Sequence, residues 1–569
     1  MDTLIRNGLV IDGTGAEAFR ADVGITDGKI ALFPGGAGAE VLREIAPQGT
    51  GADGGRTPQG IGAAAGTDAA GSGSDTKGNR GPQVIDAAGK YVCPGFIDAH
   101  SHGDLIIGSE SAHLFKTTQG VTTECMGQCG LSMVPAVPEN LAASQNILTM
   151  GTTYFPEDMK NWSRYDKFLD YVKTQKLSAN GKMYIGHSNL RIAVMGMANR
   201  PATACELDIM KGILREAMED GCAGFSTGLI YTPSCYAKPE EIVELAKVIA
   251  PFDGIYASHM RNEGKEIVAA VKETIDVGRK AGVRVDLSHH KMVGRSYWGK
   301  YKETLALVHE ANDEGIPVFL DQYPYERCMT TLNVCMPPWH FADGFSSMTG
   351  KLRDPAFRRQ VKAEMTDPAT PYDNYFLHCG GFDGIFVYLA AKTPEAEGRT
   401  LSEYAELLRK DPFEAFFDLC VANNCETGGV YAAMSDEDVC AIIKDPYCIV
   451  GSDGLTRSWD EKGHPRASGT FPHAITHFVK EKKLFTKEEM IRKMTGLSAD
   501  LLRIRDRGYV RDGYAADLLV LDYENLRDTA TYTNPNSMTE GIEHVFVNGQ
   551  EVYAEKKFTG RWPGKILKH

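Results

Sequence analysis

The run Pro94-Gly95-Phe96-Ile97-Asp98 is followed closely by His100 and His102. On a strand, side chains two residues apart point to the same face, so both imidazoles can reach one metal ion. A bare pair of this kind also reads as two unrelated surface histidines, but the apolar lead-in and Asp104 just beyond favour a metal site. A second apolar run, GVTTECMG, leads to Cys129, and a thiolate there is a soft ligand suited to zinc. Taken alone, Cys129 reads more simply as a buried structural thiol, as does Cys125 four residues earlier. Two further runs end in Ser258-His259 and in Ser288-His289-His290-Lys291. Neighbouring side chains on a strand point opposite ways, so only one of His289 and His290 is expected to face such a site. The last run ends in Gly451-Ser452-Asp453-Gly454, where a carboxylate can take a proton from metal-activated water. An aspartate in that place can also cap a following helix. The other histidines are expected to be ordinary hydrogen-bonded or surface residues, with His187 the nearest case because it too ends a strand. Ser226 and Ser452 lack the GxSxG elbow of a serine hydrolase. Metal-assisted hydrolysis is the chemistry these residues suit.

Eight short apolar runs carry these residues at their ends: YVCPGFIDAH, GVTTECMG, KMYIGHS, CAGFSTGLIY, GIYASHM, RVDLSHH, PVFLDQY and YCIVGSDG. Helical patterns fit between several of them. KPEEIVELAKVIA opens with a proline, which suits a first helical turn. Ile267, Val271 and Ile275 recur every four residues, and Gly282 marks the end of that helix. Strands alternating with helices predict an α/β fold built on a TIM-like (β/α)8 barrel, whose active sites lie at the C-terminal ends of the strands. A doubly wound open sheet is the second choice, but no glycine-rich dinucleotide fingerprint follows the first strand. Strand-like segments at both ends of the chain predict a small β-sandwich, from residues 1–93 and 506–569, around a barrel of residues 94–505. Within these spans, a Gly/Ala-rich insertion at about 34–82 is too poor in apolar residues to offset its chain entropy and is expected to be disordered. A second insertion at about 326–446, between strands seven and eight, is expected to form a subdomain over the barrel mouth.

Composition narrows the class. The chain has 569 residues and a net charge of −14, with no run of Lys or Arg, which argues against nucleic acid or an anionic membrane as the main partner. No stretch approaches the ~18 uncharged apolar residues that a membrane span needs. Thirteen cysteines, scattered irregularly, suit thiols in a reducing compartment better than a disulfide framework. The first residues lack the pattern of a secretory signal. A cytoplasmic enzyme, monomeric or a small homo-oligomer, acting on a small molecule, is the expectation.

The motifs PGFIDAHSH, GVTTECMGQCGLS, FSTGLIYTPS, ASHMR, LSHHK, DQYPY, VGSDG and HPRASGTFP, in this order, closely resemble the D-aminoacylase branch of the amidohydrolase superfamily. The likeness covers nearly the whole chain outside the Gly/Ala insertion. It implies a tight zinc site made by Cys129, His259 and His289, with His100, His102 and Asp453 bordering a second, weaker metal position. Hydantoinases, dihydroorotases and ureases resemble the same barrel but bridge two metals with a carboxylated lysine, and strand four here has none. The resemblance further implies hydrolysis of N-acyl-D-amino acids to a carboxylic acid and a free D-amino acid, by metal-activated water with Asp453 as general acid and base. It places Arg466 and Lys291 as clamps for the substrate carboxylate, and Tyr231 and Tyr323 around the scissile amide. The chain departs from the family pattern at Glu326-Arg327-Cys328-Met329, where small hydroxyl and glycine residues are usual, and at Gln128, where Asn is commoner.

Two rivals follow from the same residues. One is another metal-dependent amidohydrolase, acting on a cyclic amide, a dipeptide or a different amide. The other is a catalytically dead relative serving as a scaffold, which predicts lost ligands where every expected ligand is present.

Overall fold

The computed structural model describes residues 1–38, 40, 81–109, 111–455 and 457–569. Most of the Gly/Ala-rich segment therefore lies outside the described residues. Eight parallel strands form one sheet, here numbered β1 (Phe96–Asp98), β2 (Val121–Met126), β3 (Asn180–Gly186), β4 (Gly224–Gly228), β5 (Ile255–His259), β6 (Arg284–Leu287), β7 (Val318–Gln322) and β8 (Cys448–Val450). Neighbours in sequence are neighbours in the sheet. Just past the strands, β8 meets β1: the Ala99 amide donates to the Val450 carbonyl at 3.3 Å, and the Asp453 amide to the His100 carbonyl at 2.8 Å. All eight expected strands are present, and the architecture is the barrel that their alternation with helices predicts.

Strand one is shorter than the sequence suggests. Tyr91–Pro94 pairs with Leu518–Leu521 outside the barrel, and only Phe96–Asp98 joins the barrel. The break falls at Gly95, where an added Cβ would lie 2.1 Å from the Thr122 hydroxyl. Two helices follow their sequence signals. Pro239–Ile249 starts on its proline. Ile267–Ala281 ends on Gly282, whose φ of 71° is the left-handed cap geometry that glycine adopts freely.

Inside the barrel, Ile97, Cys125, Tyr184, Ala257, Phe319 and Ile449, from six different strands, meet in one buried cluster. This packing fills the barrel and leaves only its rim for chemistry. Strands from both ends of the chain join in a second sheet of ten. Its own core brings Val23 and Ile25 against Leu518, Val520 and Phe546. Between β7 and β8, a three-stranded sheet (Cys328–Thr331, Ile385–Leu389, Gly428–Tyr431) with its helices forms the inserted subdomain. No described helix is long and apolar enough to cross a membrane.

Candidate metal centre and active site

Cys129, His289 and Asp453 each follow a barrel strand, and each has a left-handed backbone, with φ of 54°, 38° and 48°. Such conformations cost non-glycine residues on the order of 1 kcal/mol or more, and persist where surrounding structure holds them. Close backbone packing does so at Cys129, since a Cβ on Gly228 would fall 2.1 Å from the Cys129 carbonyl oxygen. The three turns bring their side chains together. His100, Cys129, His289 and Asp453, all buried, present ligand atoms within 4.8 Å of one another. The Cys129 thiol lies 3.3 Å from His100 Nε2 and 3.2 Å from His289 Nε2. Asp453 Oδ1 lies 3.2 Å from His102 Nε2 and 3.6 Å from His100 Nε2.

His259 belongs to an adjoining group with Glu263 and the shared His289. It is buried, and neither ring nitrogen has a hydrogen-bond partner. His290 turns away to hydrogen-bond Thr304 at 2.8 Å, so one histidine of the pair faces the site, as the strand alternation predicts. Cys125 packs in the barrel core, and His187 is satisfied by Ser234 and Glu241, outside the cluster.

Electrostatics prepare these groups for a cation. Burial lowers His100 to about 3 and His289 to about 4, with Lys291 adding to the shift at His289, and burial drives His259 well below its ordinary value. All three imidazoles are thus neutral and keep a lone pair at neutral pH. Burial, then the charge of Asp453, pushes the Cys129 thiol well up, a cost that a bound cation reverses. Burial would raise the Asp453 carboxyl too. The charge of Arg466, the largest opposing influence, outweighs it and holds Asp453 well below the usual carboxylate range. Neutral imidazoles, a thiol, a carboxylate and an unpartnered buried histidine are a donor set that fits a divalent metal.

Residues behind the ligands fix their orientation. Asp321, at the end of β7, hydrogen-bonds His100 Nδ1 at 3.0 Å. Asp98 receives both the amide and the hydroxyl of Ser452, at 2.8 and 2.6 Å, and pairs with buried Lys116 at 2.6 Å. That brace fixes the loop carrying Asp453. Glu263 takes a hydrogen bond from Lys291 Nζ at 2.5 Å and one from the Tyr375 hydroxyl at 2.6 Å. Its carboxylate lies 3.6 Å from His259 Nε2 and 3.3 Å from His289 Nδ1. None of these supporting roles was assigned from sequence. Asp321 and Asp98 end strands, as the ligands nearly do, and that position was the available signal. Glu263 and Tyr375 lie in loop and insertion, where spacing gives none.

The four expected substrate residues line one pocket with His102, Cys129, His259, His289 and Asp453. Arg466 is buried, with Nη1 2.9 Å from Asp453 Oδ2 and its guanidinium 4.7 Å from the centre of the Tyr323 ring. Lys291 Nζ lies 5.8 Å from that ring, so Tyr323 is close to both cations. The Tyr231 hydroxyl accepts from Thr330 at 3.1 Å, and its ring meets His259 edge-on at 4.8 Å.

A parallel barrel with imidazoles, a thiol and an aspartate gathered at its rim is the architecture of an amidohydrolase, and the comparisons agree. An amidohydrolase family model matches residues 83–553. The chain is 35% identical to the D-aminoacylase of Alcaligenes xylosoxydans xylosoxydans, across 85% of its own length and 88% of that protein. Over its whole length it is 33% identical to the N-acyl-D-glutamate deacylase of the same organism, covering 96% of it. Among solved structures, the N-acyl-D-glutamate deacylase of Bordetella bronchiseptica, complexed with zinc and a phosphonate inhibitor, superposes with a TM-score of 0.78 at 31% identity and full coverage of both chains. A crystal structure of D-aminoacylase gives 0.77 at 31% identity, again with full coverage of both. The chain belongs to the amidohydrolase family, in its D-aminoacylase branch.

Proposed function

We propose that this enzyme hydrolyses N-acyl-D-amino acids to a carboxylic acid and a free D-amino acid, using zinc. The observation that carries the reading is Arg466. Its guanidinium is buried beside the metal ligands, and neither Nε nor Nη1 has a hydrogen-bond acceptor. Asp453 lies within ion-pair distance of Nη1 without hydrogen-bond alignment. A buried arginine with donors to spare suits an incoming carboxylate, which it can bind through two parallel hydrogen bonds. N-acyl-D-amino acids, the class named for the relatives, carry such a carboxylate next to the scissile bond.

Cys129, His259 and His289 would hold the tight metal, with His100, His102 and Asp453 bordering a second, weaker position. When bound, the ion supplies Lewis acidity toward the acyl oxygen and activates water. Asp453, kept ionised at the centre of the cluster, takes the proton from the attacking water and returns it to the departing amine nitrogen. Arg466 fixes the substrate carboxylate, with Lys291 as the second clamp, and Tyr231 and Tyr323 stand around the scissile amide. The cyclic-amide rivals depend on a carboxylated lysine at a strand end, and β4 reads Gly-Phe-Ser-Thr-Gly. A comparison of N-acetyl-D-leucine with its C-terminal amide tests the proposal. Turnover of the acid with at least ~10²-fold lower kcat/KM on the amide is expected. Equal rates on both would remove the carboxylate from the recognition scheme.

A further inference from the structure

A cavity of about 380 Å³ adjoins the metal pocket and shares Leu131, Met150, Tyr231 and Thr330 with it. Its far walls are apolar, formed by Ile147, Ile230, Val334, Met336, Phe341 and Phe345. For scale, an apolar cavity of roughly 150 Å³ is enough to hold benzene. This one has room for more than a single ring.

Its charged lining is already committed. Arg261 gives its Nε and Nη2 to Glu273, at 3.0 and 2.9 Å, and one further N–H each to the carbonyls of Cys235 and Ala237, both at 3.1 Å. Asp373 is held by His378 at 2.6 Å and by the Glu263 amide at 2.9 Å. The charge of Arg261, the cation among the described residues of this lining, is balanced by Glu273, and Asp373 adds a negative charge that opposes a second carboxylate. Asn199 and Asn333 are neutral and cannot offset a buried anion.

The cavity is also well placed relative to the clamp. Arg466 Nη2 donates to the Met329 carbonyl at 3.3 Å, and the next residue, Thr330, is the one that borders the cavity. A substrate anchored by its carboxylate at Arg466 would therefore direct another of its groups across Thr330 and Tyr231.

Building on the deacylase reading, we infer that this cavity receives a bulky apolar group of the substrate, aromatic or branched aliphatic, and that the enzyme discriminates against acidic N-acyl-D-amino acids. The group can be the D side chain or the acyl chain, which have the same chemistry. Two substrate series separate them: the N-acetyl derivatives of D-Ala, D-Leu, D-Phe, D-Asp and D-Glu, and D-Ala carrying acetyl, hexanoyl or phenylacetyl groups. The expected result is a rise of at least ~10-fold in kcat/KM along one series as apolar bulk increases. N-acetyl-D-Asp and N-acetyl-D-Glu should fall at least ~10²-fold below the best apolar substrate. Val334→Asp should then cut the preference for bulky over small substrates by ~10-fold or more, with folding checked by its melting transition. Equal or better turnover of the acidic substrates, or a flat response in both series, overturns the inference while leaving the deacylase reading standing. Turnover of none of the panel overturns the deacylase reading, and this inference with it.

Discussion

Arg466 and Asp453 form a buried ion pair, Nη1 to Oδ2 at 2.9 Å, in which the arginine still has unused donors. In the proposed function this pair links two tasks, Arg466 holding the substrate and Asp453 moving protons. Arg466→Ala is expected to lower kcat/KM for an N-acetyl-D-amino acid by about 2–4 kcal/mol, on the order of 30- to 10³-fold. The loss should be much smaller for the amide analogue of the same substrate. Equal losses on both would make Arg466 a structural partner of Asp453 and nothing more.

Cys129 and Cys125 provide an internal control. Both are buried thiols four residues apart, but Cys125 packs in the barrel core while Cys129 lies between His100 and His289. Cys129→Ala is expected to release the tight metal and abolish activity, because no neutral group replaces a thiolate ligand. Cys125→Ala should keep both metal and turnover, at a modest cost in stability. Metal content per chain, measured after dialysis, checks this. One tight zinc retained by Cys129→Ala would contradict the ligand assignment.

Glu263 bears on the site from behind. It pairs with Lys291, accepts from Tyr375 and faces both His259 and His289. Burial would raise its carboxyl, but the charge of Lys291, the largest opposing influence, holds it well below the usual range. Glu263→Gln leaves Lys291 as a buried cation without its counter-charge, and about 3–5 kcal/mol of stability should be lost. Metal affinity should fall about 10- to 100-fold, as it does when the groups that orient metal ligands are removed. Denaturant titration and metal titration measure the two effects separately. Unchanged metal affinity would show that Glu263 serves Lys291 alone.

Much of this site was legible because barrel chemistry gathers where strands end. His100, His102, Cys129, His259, His289 and Asp453 could each be picked out by that rule, and all six line one region. The alternation of side chains also limited the pair His289 and His290 to one site residue, and the resemblance named His289. The rule does not extend to groups that reach the site from loops or from behind. Glu263 and Tyr375 come from distant segments, and only the folded chain places Glu263 on Lys291 and Tyr375 on Glu263. Strand one was misjudged in length because Tyr91–Pro94 and Phe96–Asp98 form one apolar run. The demand for a glycine at Gly95 comes from Thr122, a neighbour that local sequence cannot reveal. The apolar cavity was likewise invisible, since its walls come from the loops after β2 and β4 and from the insertion.

Metal-dependent hydrolysis of N-acyl-D-amino acids is decided by enantiomer pairs. Zinc-loaded enzyme and the same enzyme after chelation should be assayed on N-acetyl-D- and N-acetyl-L-leucine and on the matching phenylalanine pair. Release of free amino acid is followed in each case. Turnover of the D forms is expected, with a kcat/KM at least ~10²-fold lower for the L forms and a loss of activity on chelation that zinc restores. Activity unaffected by removal of the metal, or equal rates on the two enantiomers, would contradict the proposed function.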